Sequence, residues 1–202
     1  GDNVSELFSY RITDGSNTST GNLTIRVVDD APVGTDITQT LQAASSAATY
    51  NLVIILDVSG SMDTVVTGTG KTRLEIAKDA LANLFEKYDS LGDVNIQIVA
   101  FDSGVSESSW FVDDRYAAED YVNALAAGSA TYYSDALNAV MTGFSQPVAD
   151  KTLFYFISDG APTSGHEATL VQSSWETFVG NNGDIAFGIG IGGATTTALE
   201  PV

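Results

Sequence analysis

The run Leu52-Val-Ile-Ile-Leu56, unbroken by any polar side chain and ending in Asp57-Val-Ser59-Gly-Ser61, limits what this chain can become. Consecutive aliphatic residues rich in Val and Ile suit a strand covered on both faces. That is the situation of a parallel strand in a sheet with helices on each side. An aspartate at the carboxyl end of such a strand stands in the crevice where open α/β sheets place their ligand sites. Asp57, Ser59 and Ser61 alternate through the turn, so their oxygens can converge on one point. One carboxylate and two neutral hydroxyls form a hard-oxygen half-shell, suited to Mg2+, Ca2+ or Mn2+ and ill suited to zinc or copper.

Composition removes several functions. Lys and Arg total 8 against 26 Asp and Glu, giving a formal charge of −18 over 202 residues. A surface this acidic repels nucleic acid and anionic lipid and tolerates divalent cations. There is no cysteine, so disulfides and thiolate metal sites are excluded. No apolar run approaches the length of a membrane span. The 44% of hydrophobic residues is enough for one medium domain with a core, plus a small extra piece.

Two further segments share the character of the first. Ala130-Thr131 precedes a helical pattern with Leu137, Val140 and Phe144 inward, and Phe154-Tyr-Phe-Ile-Ser-Asp159-Gly160 is another buried-strand pattern ending in an aspartate. Capping alone would explain Asp57 and Asp159 but not Ser59, Ser61 and Thr131 together. In this order the three pieces resemble the von Willebrand factor type A domain, with its D-x-S-x-S loop, its threonine loop and its Asp-Gly loop, over roughly residues 50 to 202. The resemblance implies an α/β fold, a doubly wound and mostly parallel central sheet flanked by helices. It also implies a metal-ion-dependent adhesion site in which Asp57, Ser59, Ser61, Thr131 and Asp159 hold a divalent cation, Mg2+ or Ca2+ or else Mn2+. In that family an open coordination position accepts an acidic group, often a carboxylate, from a protein partner. Tyr132 and Tyr133 would stand at the ligand rim. The family usually has a second glycine and an Asn or Asp where this chain has Ala130 and Tyr132.

The amino-terminal part has a different rhythm. Residues 5 to 13 and 22 to 28 alternate, with Phe8, Tyr10 and Ile12, then Leu23, Ile25 and Val27, on one face of two half-buried strands, and turn residues fill Asp14 to Gly21. These strands resemble the last two of the immunoglobulin-like or cadherin-like repeats of bacterial adhesins, including the large RTX-type proteins. The organisation expected is residues 1–32 as the tail of such a repeat, 33–49 as a linker, and 50–202 as the type A domain. Asp29 and Asp30, before Ala31-Pro32, read either as an interdomain calcium site or as a solvated acidic linker. The opening in mid-pattern, and the expectation that the family's closing strand and helix fall beyond residue 202, read as those of an excised piece.

Along the larger part, Thr72 caps a helix over 73–89 with Leu74, Ala77, Leu81, Leu84, Phe85 and Tyr88 on one stripe. Strands are expected at 94–101, 108–112, 152–158 and 185–191, and helices at 117–127 and from Ala168 through Phe178. The function this implies is adhesion, a module of a secreted bacterial surface protein set among neighbouring repeats. A metal-stabilised structural spacer is the alternative. An enzyme is the third reading: phosphatases resembling the haloacid dehalogenases need D-x-D, where this chain has Ser59, and a serine hydrolase would need His166, the only histidine, as base. That residue falls on a loop expected to be exposed.

Overall fold

The structure, a computed structural model, describes residues 4–27 and 48–202. The chain divides into two compact units, Gly1–Gln42 and Ala43–Val202. Asp29, Asp30 and most of the expected linker lie outside the described residues.

The smaller unit is an antiparallel hairpin of β1 (Val4–Thr13) and β2 (Thr18–Val27), with Phe8 opposite Leu23 and Tyr10 opposite Gly21. Pairing continues to Thr18, so the loop is shorter than the turn residues up to Gly21 suggest. The reason is the Asp14 carboxylate, which accepts the Asn17 N–H at 2.8 Å and the Ser16 N–H at 3.2 Å and closes the chain within four residues. These amide donors also hold the Asp14 carboxyl below the ordinary carboxylate range. The expected apolar stripe exists, but Phe8, Tyr10, Ile12, Leu23 and Ile25 are each at least 45% exposed rather than half-buried.

The larger unit carries β3 (Tyr50–Asp57), α1 (Arg73–Asp89), β4 (Val94–Phe101), β5 (Val105–Glu107), β6 (Phe111–Val112), α2 (Arg115–Ala124), α3 (Tyr133–Met141), β7 (Lys151–Ser158), α4 (Gln172–Asn182), β8 (Ile185–Gly190) and α5 (Thr196–Leu199). The sheet order is β5-β4-β3-β7-β8, with β6 also paired to β4. The central strands run parallel; only β5 and β6 are antiparallel. β3 is therefore flanked on both edges as well as both faces.

Strand periodicity sorts the core into two layers. Leu52, Ile54 and Leu56 pack with Leu74, Ala77, Leu81 and Phe85 of α1 and with Ala118 and Val122 of α2. Val53 and Ile55 face the other way, onto Tyr133, Leu137 and Val140 of α3 and Trp175 of α4. Every residue from Leu52 to Leu56 is fully buried, and each such side chain stabilises by roughly 1.5–3 kcal/mol relative to exposure. Extending the alternation, Asp57 and its register neighbour Ser158 belong to the α3 side, and Asp159 to the α1 side.

Helix α1 starts where expected because Thr72 and Glu75 form a reciprocal capping box. Elsewhere the boundaries differ from expectation. Of the edge strand expected over 108–112 only Phe111–Val112 is strand, and β5 precedes it at Val105–Glu107; between them the Ser108 hydroxyl takes the Ile98 N–H at 2.9 Å in place of a backbone carbonyl. Helix α2 begins earlier than 117, since Asp114 caps it by accepting the Ala117 N–H, and it ends by Ala124, where Lys78 Nζ donates to the Asn123 and Leu125 carbonyls. The helix expected from Ala168 is a 3-10 turn followed by α4, broken at Val171, whose ψ of 4° is not helical. No helix among the described residues is long and apolar enough to cross a membrane.

Candidate functional site

Strands β3 and β7 are parallel neighbours, so Asp57 and Asp159 emerge at the same carboxyl rim. The first loop turns sharply through a 3-10 turn at Gly60–Asp63, which carries Ser59 and Ser61 back over the strand end. The Ser59 and Ser61 hydroxyls lie 3.0 Å apart, and Ser61 Oγ donates to Asp159 Oδ1 at 2.7 Å. Asp57 lies beneath them: its Oδ1 accepts the Ser59 N–H at 2.7 Å, and its Oδ2 accepts Ser158 Oγ at 2.5 Å. Four of the residues singled out from sequence thus belong to one hydrogen-bonded cluster. Asp57, Ser59 and Asp159 are buried, and Ser61 is the member that opens to solvent.

The threonine loop joins this cluster through its backbone. Gly60 N–H donates to Ser129 O at 2.9 Å and Gly128 N–H to Val58 O at 2.5 Å, while Thr131 exchanges bonds with Thr163 of the third loop through its own N–H and carbonyl. A Cβ on Gly128 would sit 1.9 Å from Asp102 Oδ2, so any larger residue there displaces the carboxylate that accepts the Ser129 N–H. Thr131 is only 9% exposed. No hydrogen bond joins its hydroxyl to another described residue, yet no fully buried polar side-chain atom lacks a partner among them, so this hydroxyl reaches solvent.

Of the two tyrosines expected at the rim, Tyr133 has another role. Tyr133 is fully buried and packs edge-on against Phe101 and Phe156. Its hydroxyl lies 2.7 Å from Ser158 Oγ and 2.6 Å from Gly160 O and shares one proton between them. Burial pushes the Tyr133 hydroxyl up to about 12, so it remains a donor. Tyr132 is half-buried and stacks flat on His166, with ring centroids 3.4 Å apart. His166 is half-buried too, not the exposed loop residue expected, because its Nδ1 pairs with Asp135 Oδ2 at 2.5 Å and Tyr132 covers its face.

Two contributors were not identified from sequence. Ser158 orients Asp57, and strand register alone could have found it, since it is the residue beside Asp57 on β7. Arg73, at the first position of α1, places Nη1 2.6 Å from Asp159 Oδ2. No local signal announces this pair, which is 86 residues apart in sequence. The Asp159 side chain is wholly buried and that of Arg73 is 22% exposed.

The cluster's electrostatics follow from these contacts. Burial raises the Asp57 carboxyl above its ordinary value, hydrogen bonds from Ser158 and Ser59 pull it back, and the Asp159 charge adds a smaller upward push. The separation of the two serine oxygens is close to the roughly 3 Å between adjacent ligands of an octahedral ion with bonds of about 2.1 Å. Among the described residues no group of three or more His, Cys, Asp or Glu could hold a metal. A cation here would therefore depend on neutral hydroxyls, with Asp57 and Asp159 as the nearby anions.

The sequence model of the von Willebrand factor type A domain matches residues 52–161, from the first buried strand through the Asp-Gly loop. The chain belongs to the von Willebrand factor type A domain family. No curated protein sequence matches it. Among solved structures, this type A domain is similar to the conserved hypothetical protein BatB of Bacteroides thetaiotaomicron, with a TM-score of 0.54 and 18% identity over 71% of this chain and 66% of BatB. It is also similar to proximal thread matrix protein 1 of the mussel byssus, in a crystal structure with a zinc-occupied MIDAS motif, with a TM-score of 0.59 and 13% identity over 78% of this chain and 40% of that one. A mutant of the PilB minor pilin of Streptococcus sanguinis matches with a TM-score of 0.50 and 16% identity, over 85% of this chain and 49% of the pilin. The chain thus spans between two fifths and two thirds of these proteins. At such identities the likeness is one of fold. The MIDAS motif of the mussel protein holds zinc, an ion that the softness argument disfavours.

Proposed function

We propose that this chain is a metal-dependent binding module, in which Ser59, Ser61 and Thr131, with Asp57 and Asp159 acting directly or through water, hold a divalent cation and the cation holds an acidic group of a protein partner. The observation that carries the reading is the convergence of Ser59 Oγ, Ser61 Oγ and Asp159 Oδ1 at a solvent-facing rim, spaced at 3.0 and 2.7 Å. Their chemistry selects hard ions, Mg2+, Ca2+ or Mn2+. Two carboxylates balance the charge of such an ion and no more, and with three neutral hydroxyls they leave a coordination position open. A carboxylate from outside is then attracted, as it would not be if three or four carboxylates already surrounded the metal.

The setting that fits is adhesion by a bacterial surface protein, with the hairpin unit as the tail of a neighbouring repeat and Asp29 and Asp30 as an acidic joint. The acidity of the chain favours this setting over nucleic acid or anionic lipid. Binding and not catalysis is the activity read from the site. His166, the one candidate base, pairs with Asp135 and stacks on Tyr132, and among the described residues no hydrogen bond joins its ring to a serine of the rim.

Isothermal titration of the chelator-stripped protein with Mn2+ tests the cation directly. One site is expected in the wild type, and its loss is expected in Asp159→Ala. Titration without heat or saturation, in protein shown to be folded by circular dichroism, would end the proposal.

A further inference from the structure

Among the described residues Arg73 is the one cation in contact with the cluster, and nothing in the family's metal-site pattern quoted above includes it. Helix α1 begins at this residue because of the Thr72–Glu75 capping box, so its position is fixed by the fold and not by side-chain chance. Asp159, on the α1 side of the sheet by strand parity, meets it there. The loop after β8 packs against the guanidinium. A Cβ on Gly192 would lie 2.7 Å from Arg73 Nε, and Gly192 has a φ of +66°, the left-handed conformation that glycine adopts without strain.

Both oxygens of Asp159 are consequently engaged, Oδ1 by Ser61 Oγ and Oδ2 by Arg73 Nη1. Its side chain is fully buried, so the pair sits where screening by water is weak on the carboxylate side. A divalent cation approaching the serines meets a carboxylate whose charge is already balanced. We infer that Arg73 is an electrostatic governor of the metal site: it keeps Asp159 out of the ion's inner shell and leaves the bound ion more strongly positive.

The charge count makes the consequence concrete. Asp57 and Asp159 contribute two negative charges and Arg73 one positive, so the cluster balances one of an ion's two charges instead of both. The ion is held more weakly and attracts an outside anion more strongly. This rests on the cation reading, and the experiment separates the two ideas.

Arg73→Gln is compared with Arg73→Lys and the wild type by Mn2+ titration and by thermal melting in EDTA and in saturating Mn2+. With the guanidinium gone, Asp159 remains tethered by Ser61 and is free to approach the metal, so Mn2+ affinity is expected to rise about tenfold in Arg73→Gln. Arg73→Lys keeps the charge and is expected to stay within about threefold of the wild type. In EDTA the Gln variant is expected to melt lower than the wild type, because it buries an unpaired carboxylate, and to gain more from Mn2+. Equal or weaker Mn2+ binding by the Gln variant, with the wild type binding normally, overturns the role of Arg73 alone. Absence of Mn2+ binding in the wild type overturns the cation reading and this inference with it. If the Gln variant does not fold in EDTA, Arg73→Gln is combined with Asp159→Asn, which buries a neutral pair, and is compared with Asp159→Asn alone. Removing the uncompensated guanidinium is expected to restore part of the Mn2+ affinity that Asp159→Asn loses, and equal binding by the two counts against the inference.

Discussion

Replacing Tyr133 by Phe separates its two readings, rim residue and buried brace. The ring makes edge contacts with Phe101 and Phe156 at centroid distances of 5.9 and 4.7 Å, and these survive the change. What disappears is one hydroxyl, the donor shared by Ser158 Oγ and Gly160 O. A lost intramolecular hydrogen bond costs about 0.5–1.5 kcal/mol net, and leaving a buried acceptor without a donor raises this toward about 3 kcal/mol. Gly160 is half-buried, so water can partly replace the donor there. Ser158 is fully buried and is not rescued in that way. The expected loss is therefore about 2 kcal/mol, which for a unit of this size lowers the melting temperature by roughly 4–8 °C. Because Ser158 also orients Asp57 Oδ2, Mn2+ affinity should fall by about three- to tenfold. Thermal melting in EDTA gives the first number and titration calorimetry the second. A melting temperature within about 1 °C of the wild type, with unchanged Mn2+ binding, would refute the brace and return Tyr133 to the surface.

Asp57→Asn tests the pH dependence. Burial raises the Asp57 carboxyl in the folded state above its unfolded value, so the native state binds that proton more tightly. Its contribution to stability is then fully present below the ordinary carboxylate value and is lost as pH rises through the raised one. In EDTA, the stability of the wild type relative to Asp57→Asn should decline as pH rises across that window, measured by urea denaturation; a flat or rising difference contradicts the buried-charge account. The same variant should lose Mn2+ binding. Asn95→Ala serves as a distant control: Asn95 Nδ2 donates to the fully buried Asn51 Oδ1 at 2.9 Å, so its removal should cost about 1–3 kcal/mol. Asn51 and Asp57 are at opposite ends of β3, about 20 Å apart, and Mn2+ affinity of the refolded variant should be unchanged.

The central strand, the capped helix after it and the two aspartates at strand ends were legible because each rests on a local pattern. An apolar run signals burial on both faces, and Thr72 three residues before Glu75 signals a helix start. Boundaries failed where one side chain replaced a backbone partner, as at Ser108 and Asp114. The expectation for Tyr133 failed for a related reason. A loop position beside Thr131 suggests a rim, but Tyr133 is already the first residue of α3 and points inward.

By itself, the sequence determined the α/β class, the strand that organises the sheet, the family and the kind of oxygen ligand gathered at its edge, since all of these follow from residue type and short-range spacing. Tertiary structure alone decided which side of the sheet each aspartate faces, and hence that Asp57 is held by Ser158 and Tyr133 while Asp159 is balanced by Arg73. Those choices depend on strand register and helix placement across scores of intervening residues, and the charge a metal ion would meet is the sum of contacts that no local pattern specifies.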